Sequence, residues 1–263
     1  MERLIGRLAI VGDGLIGRSV QLAWRRRHPD TEVIAFDRGD DLATLATADA
    51  VVLAVPVDVI LALLPQLAAL APEARFITDT GSTKQLIVEA AAAAGSSRFV
   101  PGHPMAGGTS AGPDDARADL FDRRTWFLLP GRAEPAARAA VASFVADLGA
   151  RVVPLEDDGR EHDRLVAAIS HLPQVVATTL RARVGETVGV DGLRHAGAGL
   201  RDTTRRAASH SSMWVPILET NAAALAPLLR ALADDLTRVS LELGDREAME
   251  ELFARAHRFP FDP

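Results

Sequence analysis

Three short segments hold the side chains best suited to chemistry. Asp79-Thr80-Gly81-Ser82-Thr83-Lys84 closes one apolar run, and Gly102-His103-Pro104-Met105-Ala106-Gly107 closes the next. Both read as loops at the carboxyl ends of strands, and in an open α/β sheet such ends converge on one crevice. Ser82 and His103 are therefore expected to approach each other. The third segment lies in a region of helical pattern: Ser170-His171-Leu172-Pro173, followed later by Arg201-Asp202-Thr203-Thr204-Arg205. Asp202 and Arg205 are three residues apart, a spacing at which helical neighbours pair. His28, His162, His195, His210 and His257 have no comparable context and read as ordinary surface or core residues. No HExxH or other ligand spacing links the histidines, and the chain has no cysteine, so neither a metal site nor thiolate chemistry is expected.

A glycine-rich turn supplies what these segments would work with. Gly12-Asp13-Gly14-Leu15-Ile16-Gly17 follows an apolar strand pattern and opens a helical one. In such a turn the first glycine permits the sharp bend and the second lets backbone approach a pyrophosphate. The third lets helix pack on strand, and the helix N-terminus offers unpaired N–H groups to phosphate. Asp37 ends the second strand pattern twenty residues after Gly17. A carboxylate there accepts from ribose hydroxyls and repels a 2′-phosphate, which favours NAD over NADP; the neighbouring Arg38 pulls the other way. Val55 and Pro56, ending the run from Val51, are placed to flank the cofactor's ribose or nicotinamide. That run reads as the fourth strand of the fold.

The elements that must hold these groups follow from pattern. Apolar runs at Leu8–Val11, Glu32–Phe36, Ala50–Val55, Arg75–Thr78, Arg98–Val100, Trp126–Leu129 and Arg151–Val153 alternate with helical stretches such as Ile16–Arg27 and Val57–Leu70. Continuous rather than alternating apolar strands imply a parallel sheet covered on both faces. The predicted class is α/β: a Rossmann-type doubly wound sheet over residues 1–155, then an all-α domain over 156–263. Four or five helices are expected in the second part, punctuated by glycines 185, 192, 197, 199 and 244. Val215 to Leu243 carries apolar residues at helical spacing in one long helix able to face a second subunit. With 48% hydrophobic and 24% charged residues the 263-residue chain reads as globular. A net charge of −6 argues against nucleic acid or anionic membrane as partner. No signal-peptide pattern or membrane-length apolar run is read, so a cytoplasmic location is expected.

Taken together, GDGLIG, DTGSTK, GHPMAG with the later Leu120-Phe121, SHLP, and RDTTR followed by Trp214 resemble the prephenate/arogenate dehydrogenase family of tyrosine biosynthesis. They fall in the family's order along nearly the whole chain. The resemblance implies a Rossmann domain followed by a helical dimerisation domain, NAD as cofactor, and a small dicarboxylate as substrate. It implies oxidative decarboxylation of prephenate to 4-hydroxyphenylpyruvate, with arogenate or another aminated analogue as alternative substrate. His103 matches the family's catalytic histidine, and an imidazole with a pKa of ~6.5 is largely neutral at pH 7. Ser82 matches the serine that orients this histidine or the substrate hydroxyl. His171 matches a substrate-binding histidine. Arg205 matches an arginine holding a substrate carboxylate, a task its forked guanidinium suits. Thr204 and Trp214 are expected to line the same pocket.

The sequence also departs from the pattern. Thr109 stands where the family often has a gating glutamate, Gln174 where a second histidine commonly follows SHLP, and Thr83 where the turn usually has a hydrophobe. These changes bear on substrate choice rather than on the reaction. No fused chorismate mutase or regulatory module is expected after the helical part, so any feedback by tyrosine is expected at the active site. A dinucleotide-binding regulator without catalysis is the rival from another class; it would require a broken catalytic set, whereas Ser82, His103, His171 and Arg205 are all present.

Overall fold

A computed structural model describes residues 5–108 and 112–259. Its first half is built on five parallel strands: β1 (Arg7–Val11), β2 (Glu32–Phe36), β3 (Ala50–Leu53), β4 (Phe76–Asp79) and β5 (Phe99–Val100), in the order β2-β1-β3-β4-β5. The helices between and after them are α1 (Leu15–Arg27), α2 (Val57–Leu63), α3 (Leu67–Leu70), α4 (Gln85–Ala93) and α5 (Pro135–Asp147). Side chains alternate along each strand, and both faces are apolar. Leu8, Ile10, Val52 and Phe76 pack with Val20, Trp24, Val141 and Phe144 on one side. Ala9, Val11, Val51, Leu53 and Ile77 pack with Ile60, Leu64, Leu67 and Ile87 on the other.

From β1 the chain winds outwards to β2 on one side and to β3 on the other, so a crevice opens beyond the carboxyl ends of β1 and β3. The run beginning at Val51 is the third strand along the chain, not the fourth. Only a 3₁₀ turn (Leu42–Thr47) separates it from β2. The stretch from Val57 to Leu70 is not one helix either. Pro65 sits in a 3₁₀ turn (Leu64–Gln66) that divides it into α2 and α3, because proline lacks the N–H an α-helical interior requires.

The remaining strands form a second, smaller sheet rather than extending the first. β6 (Gly102–Pro104) pairs antiparallel with β7 (Thr125–Leu128), which pairs parallel with β8 (Arg151–Pro154). The break falls at Pro101, where the Gly102 N–H donates to the Asp79 carboxylate at 3.0 Å instead of to a neighbouring strand. The expected GHPMAG loop is thus in part a strand.

Beyond β8 the described residues are helical: α6 (Arg160–Val166), a π-helical turn (Ala167–His171), α7 (Leu172–Leu193), α8 (Ala198–Thr204), a 3₁₀ turn (Arg205–Ala208), α9 (Ser211–Thr220), α10 (Ala222–Glu242) and α11 (Arg246–His257). That is six helices rather than four or five. The single helix expected from Val215 to Leu243 is divided at Asn221, whose φ and ψ of −114° and 18° are not helical. Gly185 and Gly192 lie within α7, and its break is instead at Gly189, with φ 66°. Leu236, Leu241, Leu243 and Phe253 are exposed. No helix among the described residues is long and apolar enough to cross a membrane.

Candidate active site

The glycine turn lies at the crevice with no room for side chains. Gly12 has φ 107°, and a Cβ on it would lie 2.3 Å from the Ala54 carbonyl oxygen. A Cβ on Gly17 would lie 1.8 Å from the Gly12 carbonyl oxygen, so strand, turn and helix can close together only with glycine at both places. Gly14 is the N-cap of α1 and brings no side-chain cap, and Leu15 and Ile16 form the first helical turn. First-turn N–H groups left without a side-chain cap are what a phosphate requires. Asp37 follows β2 with its carboxylate exposed, Oδ1 accepting the Arg38 N–H at 2.7 Å, while Asp40 accepts the Asp37 N–H. Arg38 is exposed and makes no ion pair among the described residues. Val55 is half-buried, its side chain beside Gly12, and Pro56 is the exposed N-cap of α2. Turn, carboxylate and flanking residues thus share one sheet edge, an arrangement that fits a dinucleotide.

Next to that edge, Asp79 ties the two chemistry-bearing strand ends together. Its Oδ1 accepts from the Gly102 N–H and its Oδ2 from the Gly81 N–H, and the Lys84 ammonium pairs with it in full burial. His103, on β6, is buried beneath this junction. Its Nδ1 lies 2.9 Å from His162 Nε2, and His162 Nδ1 lies 2.8 Å from Asp163 Oδ1. His103 Nε2 has no hydrogen-bond partner among the described residues. Asp163 also receives the backbone N–H groups of Lys84 (2.7 Å) and Gln85 (3.0 Å), capping α4 from the helical domain. The Asp163 carbonyl accepts from Asn221 Nδ2 at 2.8 Å, and the same Nδ2 lies 3.0 Å from His171 Nδ1. Trp214 meets the His171 ring edge-on, with centroids 5.9 Å apart.

Burial and neighbouring positive charge decide the protonation of the two imidazoles. Burial, reinforced by His162, Lys84 and His171, pushes His103 well below its ordinary value. Burial lowers His171 from 6.5 to about 4 against the raising pull of Asp163, with His162 adding to the lowering. Both rings are neutral at pH 7, so the unfolded chain binds more protons below pH 6.5 than the folded one, and stability must fall as pH falls. Between neutral pH and pH 5 the His171 shift alone predicts a loss of about 2 kcal/mol. Denaturant unfolding at a series of pH values checks this; stability constant over that window would contradict buried, neutral histidines.

The structure assembles the other expected residues unevenly. Ser82 is half-buried on the turn that Asp79 anchors, and among the described residues it makes no hydrogen bond to His103. Thr204 is buried, its hydroxyl donating to the Leu200 carbonyl of its own helix at 2.7 Å. Arg205 begins the 3₁₀ turn with its side chain exposed, and no ion pair joins it to Asp202 among the described residues. Arg205, the C-cap of α8, keeps helical backbone angles (φ −55°, ψ −40°), so the expected spacing is kept although the two side chains do not pair among the described residues. Gln174 is buried one turn beyond His171; its Nε2 holds the Arg206 carbonyl at 3.0 Å while Oε1 has no partner. The Trp214 Nε1 is likewise buried and unpaired. Thr83 is buried, with its hydroxyl 2.9 Å from that of Thr220 on α9. Thr109 lies outside the described residues.

Sequence reasoning gave no role in the site to His162, Asp163 or Asn221, nor to Asp79 and Lys84 within the segment it singled out. For the first two a signal existed: an adjacent His-Asp pair opens the helical half directly after the last strand. Asn221 carried none, since only the packing of α10 against α6 and the π-helical turn brings it to His171.

A glycine cradle at the switch point of a parallel sheet, a buried neutral imidazole at the same carboxyl end of that sheet, and a helical region that meets it through Asp163 are the parts of a two-domain nucleotide-dependent dehydrogenase. Residues 15–154 match the family model for the prephenate dehydrogenase nucleotide-binding domain, and residues 158–256 match that for the prephenate dehydrogenase dimerization domain. The chain is 31% identical to a prephenate dehydrogenase of Lactococcus lactis, over 94% of this chain and 74% of that protein. It is 33% identical to one from Bacillus subtilis, over 84% of this chain and 66% of that protein. A crystal structure of prephenate dehydrogenase from A. aeolicus superposes with a TM-score of 0.86 over 98% of this chain and 97% of that one, at 24% identity. The chain belongs to the prephenate dehydrogenase family.

Proposed function

We propose that this chain catalyses the NAD-dependent oxidative decarboxylation of prephenate to 4-hydroxyphenylpyruvate. The observation that carries the reading is His103: buried, neutral, with Nε2 unpaired among the described residues, on a strand that starts at the carboxyl end of the sheet, the end that also carries the glycine turn. Gly12, Gly14, Leu15, Ile16 and Gly17 would hold the pyrophosphate, Asp37 the adenosine ribose, and Val55 and Pro56 the neighbouring ribose or nicotinamide. When bound, NAD supplies the acceptor for the hydride that leaves the hydroxyl-bearing ring carbon. His103 Nε2 accepts the hydroxyl's hydrogen bond, takes up its proton as that carbon is oxidised, and returns it to the phenol once the ring carboxylate has left as carbon dioxide. Aromatisation makes the step effectively irreversible.

Ser82, on the turn that Asp79 anchors, would orient the hydroxyl. His171, Thr204 and Trp214 would wall the substrate, with Arg205 on one of its carboxylates. In this reading the Rossmann domain spans residues 1–155 and the helical domain 156–263. The exposed apolar residues of α10 and α11 pack against a second copy to form a homodimer in the cytoplasm.

One observation favours a second substrate. The unpartnered, buried Oε1 of Gln174 is an acceptor that suits an ammonium better than a keto oxygen, and so an aminated analogue such as arogenate. The test follows NADH or NADPH formation with prephenate and with arogenate. Turnover of prephenate with NAD supports the main reading, turnover confined to arogenate supports the second, and no turnover of either overturns both. Arg205→Ala is expected to raise KM by roughly 10–100-fold, the worth of a charge-assisted hydrogen bond, with kcat little changed. An unchanged KM in steady-state assays would remove Arg205 from the carboxylate site.

A further inference from the structure

Two hydrogen-bond chains leave Asp163, and each ends on one of the two site histidines. A carboxylate only accepts, so the hydrogen in the 2.8 Å contact between Asp163 Oδ1 and His162 Nδ1 belongs to the histidine. A ring that carries a single proton, held there, presents a bare Nε2. The 2.9 Å contact onwards is then a donation from His103 Nδ1, which leaves His103 Nε2 as a lone pair. The second chain starts from the Asp163 backbone carbonyl, which also only accepts. The atom of Asn221 facing it at 2.8 Å must therefore be the amide nitrogen. That nitrogen also lies 3.0 Å from His171 Nδ1, so Nδ1 is the acceptor and the His171 proton sits on Nε2.

We propose that Asp163, acting through His162 and Asn221, is a positioning residue that locks His103 and His171 in opposite tautomers, one an acceptor at Nε2 and the other a donor at Nε2. The inference rests on the reading of His103 as the group that takes the hydroxyl proton, and it extends that reading to the rest of the site. It assigns His171 to an acceptor on the substrate, a carboxylate or carbonyl oxygen, since a fixed neutral N–H cannot serve an ammonium. It also makes the acid–base geometry depend on domain packing. Asp163 belongs to the helical domain, yet it caps α4 of the nucleotide-binding domain through the Lys84 and Gln85 N–H groups. Gly159, at φ 97°, allows that approach: a Cβ there would lie 2.5 Å from the Gln85 nitrogen.

Histidine-ring ¹⁵N NMR on the intact, substrate-free protein at neutral pH reads the tautomers directly, with signals assigned by their loss in His103→Asn and His171→Asn. The expected result is a protonated Nδ1 on His103 and a protonated Nε2 on His171. The same tautomer on both rings, or an imidazolium at His162, would overturn the proposal whichever substrate the enzyme turns over. Kinetics give the second readout. His162→Leu removes the acceptor, and kcat should fall roughly a hundredfold or more with little change in KM. His162→Gln, whose amide oxygen reaches close to the place of Nε2, should recover most of that loss. Equal kcat in the Leu and Gln variants, whether both impaired or both normal, counts against a tautomer-setting role. If the Leu variant does not fold, the NMR pattern of the unmodified protein still decides.

Discussion

Replacing His103 with Asn lowers kcat by roughly 10²–10⁴-fold, the range for losing a general base, while binding of NAD and substrate is largely kept. The substitution is chosen on geometry. An Asn amide reaches about as far as the ring's Nδ1, so it can still donate to His162 Nε2 and spare that buried nitrogen from losing its partner. What it cannot supply is an atom at the place of Nε2, the ring nitrogen left without a protein partner. A stability effect would therefore be small and a kinetic effect large, and the comparison of kcat with equilibrium binding of the nucleotide separates the two. Turnover within a fewfold of the unmodified enzyme would mean that His103 does not take the proton.

The second large effect is on stability. Lys84→Met should destabilise the fold by about 3–5 kcal/mol, the cost of removing one partner from a buried ion pair. Lys84 and Asp79 are both fully buried. Burial lowers the pKa of Lys84, and the neighbouring Asp79 carboxylate opposes that. Methionine matches the length of the lysine stem but leaves the Asp79 charge with only the Gly81 and Gly102 N–H groups. Because those two N–H groups belong to the turn carrying Ser82 and to the strand carrying His103, relaxation of Asp79 should displace both. The denaturant midpoint of the variant measures the loss. A loss below about 1 kcal/mol would place this pair in the range of exposed ion pairs, contrary to its burial.

Much of the cofactor edge was legible in the residues because its requirements are local. A glycine whose Cβ would strike the neighbouring backbone leaves its mark at one position, and the strand-turn-helix context of Gly12 to Gly17 is contiguous in the chain. The strand carrying His103 was harder to read. Its segment looks like a loop, and only the donation of the Gly102 N–H to Asp79 shows why the first sheet stops and a second begins. His162 is the clearest case of what sequence reading left out. Treated as an ordinary core or surface residue, it is fully buried, bonded to His103 on one side and Asp163 on the other. Its partner His103 is 59 residues away, and no periodicity reports a contact of that range.

The sequence by itself determined the class: apolar runs alternating with helical patterns, a glycine turn followed by an acidic strand end, and an order of motifs that fits one family. These are properties of spacing, and backbone geometry translates spacing directly into elements. Tertiary structure alone decided the state of the chemistry. Burial holds His103 and His171 neutral, and the packing of α6 against α4 puts one carboxylate at the head of the chain that ends on His103. Whether an imidazole accepts or donates depends on the partner of its other nitrogen, and the fold brings that partner from another domain.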